Sequence, residues 1–455
     1  MNKLLRTNVL TSPFLKWLSL GLLLPASIVA ANEPNSLFFD KNDSYWAQYL
    51  PEVNPPLNRN LRVDVAIIGG GYTGLSAAYH IKKSDPDLNV AIFEAKRLGN
   101  GASGRNGGLV LAQTYSEGGM AMGKFKKYHR EIYDITVNSM KRLKTLAEST
   151  GIDPEFVLNG QCAGIFNPEN VAGFKEYATK AQKLGMPIEF LGKEQAVKKL
   201  GAPALVGAVC DPNGGMVNPA KLVAALTKLA KDAGVEIYEQ SIIEDYMQTA
   251  PLKLTVLANN QRYKVKADAM VIAANAYAAA TLGFMEDDIV PSHTQVAVTA
   301  PLTEEQYRSA GWLDHIAWYD DLYAGTDSDA TYHMIMTQDR RIVIGGGSVE
   351  YSDGESLRYP GDIKKIEKQI SKHLGDMYPS LKGIAIEHTW DGIIAETNSK
   401  TELIGVTGKH ENIFYALGYN GGQGVNASFL FGELVSKLYN DEDHPLLDII
   451  AKYEE

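Results

Sequence analysis

The chain has 455 residues, with 44 lysine and arginine residues against 54 aspartate and glutamate residues, so its formal net charge is −10 at pH 7. This length predicts about two or three domains, and 45% hydrophobic with 22% charged residues exclude a disordered chain. The acidic balance speaks against nucleic acid as a partner. Two cysteines are too few for a disulfide framework, a four-cysteine zinc site or an iron–sulfur cluster held by four thiolates, and no metal site is predicted.

Residues 1–31 have the pattern of a secretory signal. Lys3, Arg6 and Lys16 precede an apolar stretch at 17–31 that ends in small residues. This stretch is shorter than the ~20 residues that a membrane-spanning helix needs. An uncleaved N-terminal anchor and a disordered leader are the alternatives. We therefore expect an exported protein, periplasmic or anchored to the membrane and facing the periplasm, with a cytoplasmic location as the alternative.

The folded part begins with a βαβ unit. Residues 32–60 are polar and contain prolines, which predicts an arm lying on the domain. Residues 63–68, 75–83 and 90–94 predict a buried strand, a helix and a second strand. Downstream, the patterns predict helices at 118–150, 219–233, 363–374 and 426–438, a capping-box helix start at 303–306, a hairpin around Asn259-Asn260, strands at 235–238, 269–274, 341–344 and 413–417, and alternating strands over 295–336.

A glycine triplet between the first strand and helix predicts a dinucleotide site. Gly69 allows a tight turn, Gly71 lets the backbone approach a pyrophosphate, and Gly74 lets the helix pack on the strand. The helix N-terminus then offers amide N–H groups to the phosphates. Glu94 follows the last glycine by 20 residues, where a carboxylate would bind ribose hydroxyls and repel a 2′-phosphate. A structural glycine turn with an exposed Glu94 is the alternative, and this pattern alone does not separate NAD from FAD.

The next motif supplies that distinction. Gly101-Ala-Ser-Gly-Arg-Asn-Gly-Gly108, together with Ile68-Gly-Gly-Gly-Tyr-Thr-Gly-Leu75, resembles the FAD-dependent amine and amino-acid oxidoreductases of the D-amino-acid oxidase superfamily. Within that superfamily the sequence is most similar to γ-glutamylputrescine oxidoreductase-like flavoproteins. The resemblance spans about residues 45 to 440, nearly all of the chain beyond the predicted leader.

The resemblance implies an α/β protein with a glutathione-reductase-like FAD-binding Rossmann domain and a substrate domain of α+β type with a mixed or antiparallel sheet. The FAD-binding domain would be discontinuous, made of 61–150, 205–285 and 385–455. The substrate domain would comprise 151–204 and 286–384.

The resemblance also implies where FAD would bind. The glycine-rich loop at 99–108 would pass the flavin and the pyrophosphate, Val235 would lie near the adenine, and residues 421–425 would place a helix N-terminus at the flavin pyrimidine edge. That helix end would stabilise the negative charge of the reduced flavin, with a simple N-cap loop as the alternative. The predicted FAD-binding residues are Gly69, Gly71, Tyr72, Thr73, Gly74, Glu94, Ala95, Gly101, Ala102, Ser103, Arg105, Asn106, Gly107, Gly108, Val235, Ala274, Asn275, Gly392, Gly421, Gly422, Gln423, Gly424 and Val425.

The implied chemistry is hydride transfer to flavin N5 from the carbon beside an amine, which gives an imine that water hydrolyses. A desolvated pocket would favour the neutral, reactive form of the amine. The resemblance implies a non-covalent flavin, because the glycine-rich loop has no histidine and neither cysteine lies in the C-terminal half, where sarcosine-oxidase-like relatives attach theirs. The predicted catalytic or pocket residues are Tyr332, His333, Trp390, Tyr419 and Gln423.

The sequence departs from its relatives where amino-acid oxidases usually carry a carboxylate-binding arginine. The corresponding residue is Thr337, and the position that holds arginine in the putrescine-type relatives is Ile335. A bidentate carboxylate clamp is therefore not expected there. Arg340 and Arg105 are the remaining candidates, with surface or phosphate-side pairing favoured for each.

Two further groups of residues carry open interpretations. Asp320 and Asp321, in the aromatic segment 315–323, would hold an ammonium or would belong to a polar loop over a structural aromatic cluster. Cys162 and Cys210 are predicted to be buried, small apolar residues.

Three functional hypotheses follow from these observations. The first is an enzyme that oxidises a small-molecule amine, with oxygen or a respiratory quinone as the electron acceptor and a possible membrane tether. The second is an amino-acid oxidase or dehydrogenase that gives a 2-oxo acid and ammonia. The third is a non-catalytic flavin-binding protein.

Overall fold

A computed structural model describes residues 44–112, 126–321, 332–346, 363–399, 401–420 and 423–454. The predicted leader at 1–31 and the start of the predicted helix at 118–150 lie outside these residues. The described α-helices are α1 (Tyr72–Ser84), α2 (His129–Ser149), α3 (Val171–Lys183), α4 (Lys193–Leu200), α5 (Pro219–Asp232), α6 (Ala276–Leu282), α7 (Glu304–Ala310), α8 (Ile363–Met377), α9 (Gly424–Tyr439) and α10 (Pro445–Glu454).

The described strands form two large sheets and one small one. Their bounds are β1 (Leu61–Ile68), β2 (Val90–Phe93), β3 (Leu109–Val110), β4 (Gln161–Ile165), β5 (Glu189–Gly192), β6 (Gly207–Asp211), β7 (Gly215–Met216), β8 (Glu236–Tyr238), β9 (Ile242–Met247), β10 (Leu252–Ala258), β11 (Gln261–Ile272), β12 (Ile289–Thr299), β13 (Ala317–Asp320), β14 (Tyr332–Met336), β15 (Ile342–Gly346), β16 (Ile386–Thr397), β17 (Leu403–Thr407) and β18 (Ile413–Leu417).

The first large sheet is mostly parallel. Strands β18, β11, β1, β2 and β8 are successive parallel neighbours, with β17 antiparallel at one edge and β10 and β9 continuing antiparallel from β11. Residues 65–68 of β1 are buried on both faces, by α1 on one side and by a second apolar cluster on the other, which explains their continuous apolar run. The carboxyl ends of the parallel strands therefore lie at one edge, the usual position of a ligand in such a sheet.

Helices α1 and α9 pack closely side by side on this sheet. Gly432 of α9 lies against α1, and a Cβ there would come within 2.7 Å of the Thr73 carbonyl oxygen. The Ser76 hydroxyl donates to the Phe429 carbonyl at 2.6 Å. These contacts fix the N-termini of both helices at the same edge of the sheet.

The second large sheet has the strand order β16-β12-β15-β14-β13-β4-β6-β5 and is antiparallel except for the β13–β4 pair. It is the mixed sheet that was predicted. Strands β6 and β16 belong to it, although their residues fall inside segments assigned by prediction to the FAD-binding domain. The predicted domain boundaries stay a prediction. Strands β6 and β16 pair with the sheet of the predicted substrate domain.

The two cysteines are buried, as predicted, but they form a disulfide, so the prediction that they are separate small apolar residues is wrong. Cys162 on β4 lies directly opposite Cys210 on β6 in the antiparallel register. Their separation of 48 residues concealed this pairing in the sequence. The disulfide lies on the face of the second sheet that packs against Trp318 and α4.

Most predicted elements are present, with shifts at their ends. The predicted hairpin and the strand at 269–274 are joined, because β11 continues from the turn through Ile272. The capping box at Thr303 is formed, with Gln306 returning the hydrogen bond. Helices α3, α4, α6 and α10 were not predicted; in α3, Ala178 and Ala181 are buried and Phe174 and Tyr177 pack partly buried against the core.

The described part of the predicted arm, residues 44–60, includes the 3-10 helix Tyr45–Tyr49. Trp46 is buried, and its ring is edge-on to that of Trp390 on the second sheet. Within the described residues, no helix combines the length and apolar character needed to cross a bilayer.

Candidate active site

One cavity of about 840 Å³ extends from the carboxyl ends of the first sheet to one face of the second. Its volume is in the upper part of the range usual for ligand sites. The turn before α1 and the first residues of α9 both line it. The two glycine-rich turns that the sequence singled out therefore meet at one cavity.

The turn at 69–74 brings the backbone close to this cavity. Gly69 has φ +105°, and a Cβ there would lie 2.8 Å from the Ala273 carbonyl oxygen. A Cβ on Gly74 would lie 2.0 Å from the Gly69 carbonyl oxygen, so Gly74 permits the contact between α1 and the turn. The first-turn N–H groups of α1 at Thr73 and Gly74 have no intrahelical acceptor and suit an anion such as a pyrophosphate.

Glu94 lies at the end of β2 and lines the cavity. Its Oε2 accepts a hydrogen bond from Gly70 N–H at 2.7 Å, and its Oε1 accepts one from Lys96 N–H at 2.9 Å. Burial raises the pKa of Glu94 to about 7, against the lowering effect of these two donors. The carboxyl group is thus held at the position where a ribose would bind.

The loop at 99–108 is braced from behind. The guanidinium of Arg105 is buried, with Nε donating to the Asn100 carbonyl at 2.7 Å and Nη1 to the Asp391 carbonyl at 3.2 Å. The indole N–H of Trp390 donates to the Arg105 carbonyl at 2.7 Å, and that of Trp46 donates to the Asn106 carbonyl at 3.0 Å. Because these bonds hold the backbone of the loop, its other surface is presented to the cavity.

The start of α9 completes the dinucleotide end. Gln423, Gly424 and Val425 line the cavity, while Gly421 and Gly422 lie outside the described residues. The hydroxyls of Thr73 and Tyr419 are 2.6 Å apart and connect α1 to the residues that precede α9. Two helix N-termini therefore face the same cavity, an arrangement that suits both an anionic phosphate and a charge developing on a ring.

These features fit FAD. The cavity offers bare backbone at one turn, a fixed carboxyl group for a ribose, and a second helix end for the ring. The predicted FAD-binding residues that line it are Gly69, Gly71, Tyr72, Thr73, Glu94, Ala95, Gly101, Ala102, Ser103, Arg105, Asn106, Gly107, Ala274, Asn275, Gly392, Gln423, Gly424 and Val425.

Among the predicted FAD-binding residues that the structure describes, three do not line the cavity. Gly74 and Gly108 permit backbone packing, since a Cβ on Gly108 would lie 2.6 Å from the Val217 carbonyl oxygen. Val235 is buried in the core just before β8. It lies near the amino end of that strand, whereas the carboxyl end faces the cavity through Ser241 and Ile242. The prediction that Val235 lies at the adenine is therefore corrected.

Of the predicted catalytic residues, His333, Tyr419 and Gln423 line the cavity. Tyr332 does not, because successive residues of a strand point to opposite faces and its ring stacks on that of His373 at 4.0 Å, behind the sheet. Trp390 is also outside the lining, and its indole N–H donates a hydrogen bond to the Arg105 carbonyl in the loop at 99–108. The prediction that Tyr332 and Trp390 contact the substrate directly is therefore corrected.

His333 fits into a space left by glycines. A Cβ on Gly107 would lie 2.7 Å from its Nε2, and a Cβ on Gly345 would lie 2.4 Å from the same atom. Burial lowers the pKa of His333 to about 4. The imidazole is therefore neutral near pH 7 and faces the cavity as a hydrogen-bonding group without charge.

The acidic pair has its carboxylates engaged within the protein. Asp320 accepts from His373 Nε2 at 3.0 Å, behind the sheet with Tyr332. Asp321 accepts from Phe166 N–H at 2.6 Å and from the amide of Asn170 at 2.7 Å. Both residues border the cavity, but these bonds favour the interpretation as a polar loop over an aromatic cluster.

The predicted arginine candidates differ in placement. Arg340 pairs with Glu304 and lies over the ring of Tyr307, away from the cavity, so it is no carboxylate clamp. Ile335 is fully buried and Thr337 bonds to Asp339 and Arg341. Arg105 lines the cavity but donates to two backbone carbonyls.

Several lining residues were not predicted. They come from several elements, among them strands of the second sheet, α3, β9 and α6, with no shared motif in the sequence. Only Tyr319 fell in a segment already noted for its aromatic residues. The principal examples are Gln161, Ala163, Phe174, Thr294, Val296 and Tyr319.

Comparison with known proteins identifies the family of the chain. The sequence model of the DAO family, described as FAD dependent oxidoreductase, matches residues 64–438. The chain is 27% identical over 416 residues to γ-glutamylputrescine oxidoreductase of Escherichia coli (strain K12), covering 88% of this chain and 89% of that protein. It is 25% identical over 383 residues to glycine oxidase of Geobacillus kaustophilus (strain HTA426), covering 83% of this chain and 93% of that protein.

Solved structures share the fold. L-proline dehydrogenase from P. horikoshii superposes with a TM-score of 0.69 at 21% identity, covering 85% of this chain and 96% of that chain. Glycine oxidase from Geobacillus kaustophilus gives 0.68 at 22% identity, with the same coverage. Because the family model matches most of its length, this chain belongs to the DAO family of FAD-dependent oxidoreductases, and the predicted family, α/β fold and enzyme class are confirmed.

Proposed function

We propose that the protein oxidises the C–N bond of a small-molecule amine with non-covalently bound FAD. The observation that carries this choice is the absence of a carboxylate clamp among the described residues. Arg105 is the only lysine or arginine in the described lining, and its guanidinium donates to two backbone carbonyls. An α-amino acid would need a cation facing its carboxylate, whereas an amine would not.

FAD would be held by the chain's own backbone and by one carboxyl group. The N-terminus of α1 would bind the pyrophosphate, Glu94 would accept from the ribose, and the start of α9 would lie at the ring. Bound FAD would supply the acceptor for a hydride leaving the carbon beside nitrogen. The imine product would then be hydrolysed by water to a carbonyl compound and a free amine or ammonia.

The residues at the second-sheet end would control the state of the amine. His333, with its lowered pKa, stays neutral and can accept a hydrogen bond from the substrate nitrogen. It is too weak a base to take a proton from an ammonium. The low polarity around it instead favours binding of the amine already deprotonated.

A second candidate is oxidation of an amino acid, the hypothesis in which the product is a 2-oxo acid. Arg105 favours it, because this buried cation borders the cavity. The names of relatives point both ways: γ-glutamylputrescine oxidoreductase and glycine oxidase are both among them.

A non-covalent flavin is supported by the chemistry of the described lining. Covalent attachment through a thiol would need a free cysteine, and both cysteines form the disulfide on the opposite face of the second sheet. Acid precipitation should release all the yellow colour into the supernatant. Colour retained in the pellet would contradict this part of the proposal.

We further propose that the protein is exported, with oxygen or a membrane quinone as electron acceptor. The basic and apolar pattern of residues 1–31 supports export, and so does the disulfide, since such bonds persist in oxidising compartments. Cell fractionation with thiol labelling tests it. Periplasmic or membrane-bound protein without free thiols is expected, and cytoplasmic protein with two free thiols would contradict export.

The proposed reaction is tested by anaerobic mixing of purified holoenzyme with primary amines, secondary amines and both enantiomers of amino acids. Loss of flavin absorbance with amines, and slower or no loss with amino acids, is expected. Faster bleaching by an amino acid would favour the second candidate. FAD that no compound bleaches would support the non-catalytic alternative.

A further inference from the structure

A buried polar cluster lies at the wall of the cavity, away from the dinucleotide end. Gln161 on β4 and Tyr319 on β13 line the cavity. Asp211 on β6 lies directly opposite Gln161 in the antiparallel register, and Tyr319 lies beside Ala163 of β4 in the parallel register. Opposed residues on neighbouring strands share a face of the sheet. Gln161, Asp211 and Tyr319 therefore share one face of the sheet, on which Gln161 and Tyr319 line the cavity and Asp211 lies beside Gln161, outside the lining.

Asp211 is buried, with 4% of its surface exposed, and is only partly satisfied. Its Oδ1 accepts from the Tyr133 hydroxyl and from Asn213 N–H, both at 2.8 Å. Its Oδ2 has no hydrogen-bond partner in the part of the chain that the structure describes, and no lysine or arginine there pairs with it. Burial raises its pKa, as expected for a carboxylate without a cation.

Gln161 is similarly buried and has unused hydrogen-bonding capacity. Only 7% of its surface is exposed, and its buried Oε1 lacks a partner within the described ranges. An amide can make up to about four hydrogen bonds, and leaving buried polar atoms unpaired costs about 1–3 kcal/mol each. Burial raises the pKa of the Tyr319 phenol, with smaller contributions from Tyr177 and then from the negative charge of Asp211.

Resting on the proposed function, we propose that this cluster is a cation subsite for a second nitrogen of the substrate. Gln161 and Tyr319 would contact a protonated nitrogen remote from the oxidised carbon, and Asp211 behind them would supply the opposite charge. The substrate class is then a diamine or an aminoalkyl amine. Gln161, Tyr319 and Asp211 include no lysine or arginine. Their hydrogen-bond acceptors would therefore discriminate against a substrate that carries a carboxylate in place of the second nitrogen.

The test compares two probes of equal chain length on the FAD-bound enzyme. 1,4-Diaminobutane carries a second ammonium, and 1-aminobutane has a methyl group there. We expect kcat/KM for flavin reduction to favour the diamine by about 10-fold to 100-fold, the range that one charge-assisted hydrogen bond supplies. In Asp211→Asn this ratio should fall at least about tenfold.

Matched variants make the result specific. Tyr319→Phe removes one hydroxyl, keeps the ring and should lower the ratio by a smaller factor, which tests the subsite even if Asp211→Asn folds poorly. Asp232→Asn removes an exposed carboxylate on α5 and should leave the ratio unchanged. An equal preference in wild type and Asp211→Asn, or a wild-type preference for 1-aminobutane, would overturn the proposal.

A binding measurement separates this proposal from the proposed function. Perturbation of the oxidised flavin spectrum gives the Kd of each probe without any reaction. Tighter binding of 1,4-diaminobutane than of 1-aminobutane, lost in Asp211→Asn, would support the subsite even if neither compound bleached the flavin. Equal binding of the two probes in wild type would reject the subsite even if both were oxidised.

Discussion

At the dinucleotide end of the cavity, mainly backbone faces the ligand, whereas at the other end side chains from separate strands do so. The turn at 69–74 and the start of α9 come from two short, contiguous segments. His333, Gln161 and Tyr319 lie on three different strands, far apart in the sequence. Backbone recognition suits a constant cofactor, and side-chain recognition lets the substrate change without altering the cofactor site.

The largest expected effect is a loss of bound FAD when a side chain is added at the dinucleotide end of the cavity. Gly74→Ala places a Cβ 2.0 Å from the Gly69 carbonyl oxygen, a backbone atom that cannot move aside. We expect purified Gly74→Ala to carry almost no FAD, measured as absorbance near 450 nm per protein. Gly173→Ala on α3 is the control, because no atom lies within 4 Å of its added Cβ. Full FAD content in Gly74→Ala would contradict the assigned packing.

The second largest expected effect is a loss of stability on removal of the disulfide, which lies in the second sheet at the substrate end of the molecule. It joins residues 48 apart, and closing such a loop stabilises the folded state by about 4 kcal/mol in the chain-entropy account. The double variant Cys162→Ala/Cys210→Ala should lower the free energy of unfolding by roughly 2–4 kcal/mol. Urea titration measures this change. The flavin spectrum should remain, since the disulfide lies on the far face of the second sheet. A stability equal to wild type would contradict this stabilising contribution of the disulfide.

His333 predicts a pH dependence of stability. Its pKa is about 4 in the folded protein and about 6.5 when unfolded. As the pH falls through 6.5, the unfolded chain binds a proton first, so stability should decline between pH 6.5 and 4 and level off below that. The slope from this residue is about 1.4 kcal/mol per pH unit. His333→Gln should remove that part of the slope in denaturation curves taken at several pH values, and identical slopes would contradict the burial of a neutral imidazole.

Glu94 gives the smallest of these effects. The two carboxyl oxygens of Glu94 accept hydrogen bonds from the N–H groups of Gly70 and Lys96. In Glu94→Gln the amide NH₂ group would face one of these N–H donors, so one hydrogen bond would be lost. Losing one charge-assisted bond should weaken FAD binding by about tenfold or somewhat more, measured by titrating apoprotein with FAD. The exposed Glu286→Gln should bind as wild type does. Unchanged affinity in Glu94→Gln would mean that the ribose lies elsewhere.

The sequence predicted the dinucleotide half far better than the substrate half, for a physical reason. Gly69, Gly71 and Glu94 act through local geometry, and local geometry is encoded in a short motif. Tyr332 and Trp390 were assigned to the pocket wrongly, since their orientation depends on the face of each strand. Gln161 and Asp211 escaped prediction because only the pairing of β4 with β6 brings them together. The same pairing, invisible in the sequence, also joined Cys162 to Cys210.

The most direct test of the central claim is an anaerobic titration of the purified, full-length protein with an amine, followed by visible absorbance. The account predicts a yellow protein whose flavin band disappears as a reactive amine is added and returns with an electron acceptor. A well-folded protein without FAD, or a bound FAD that neither amines nor amino acids reduce, would contradict it.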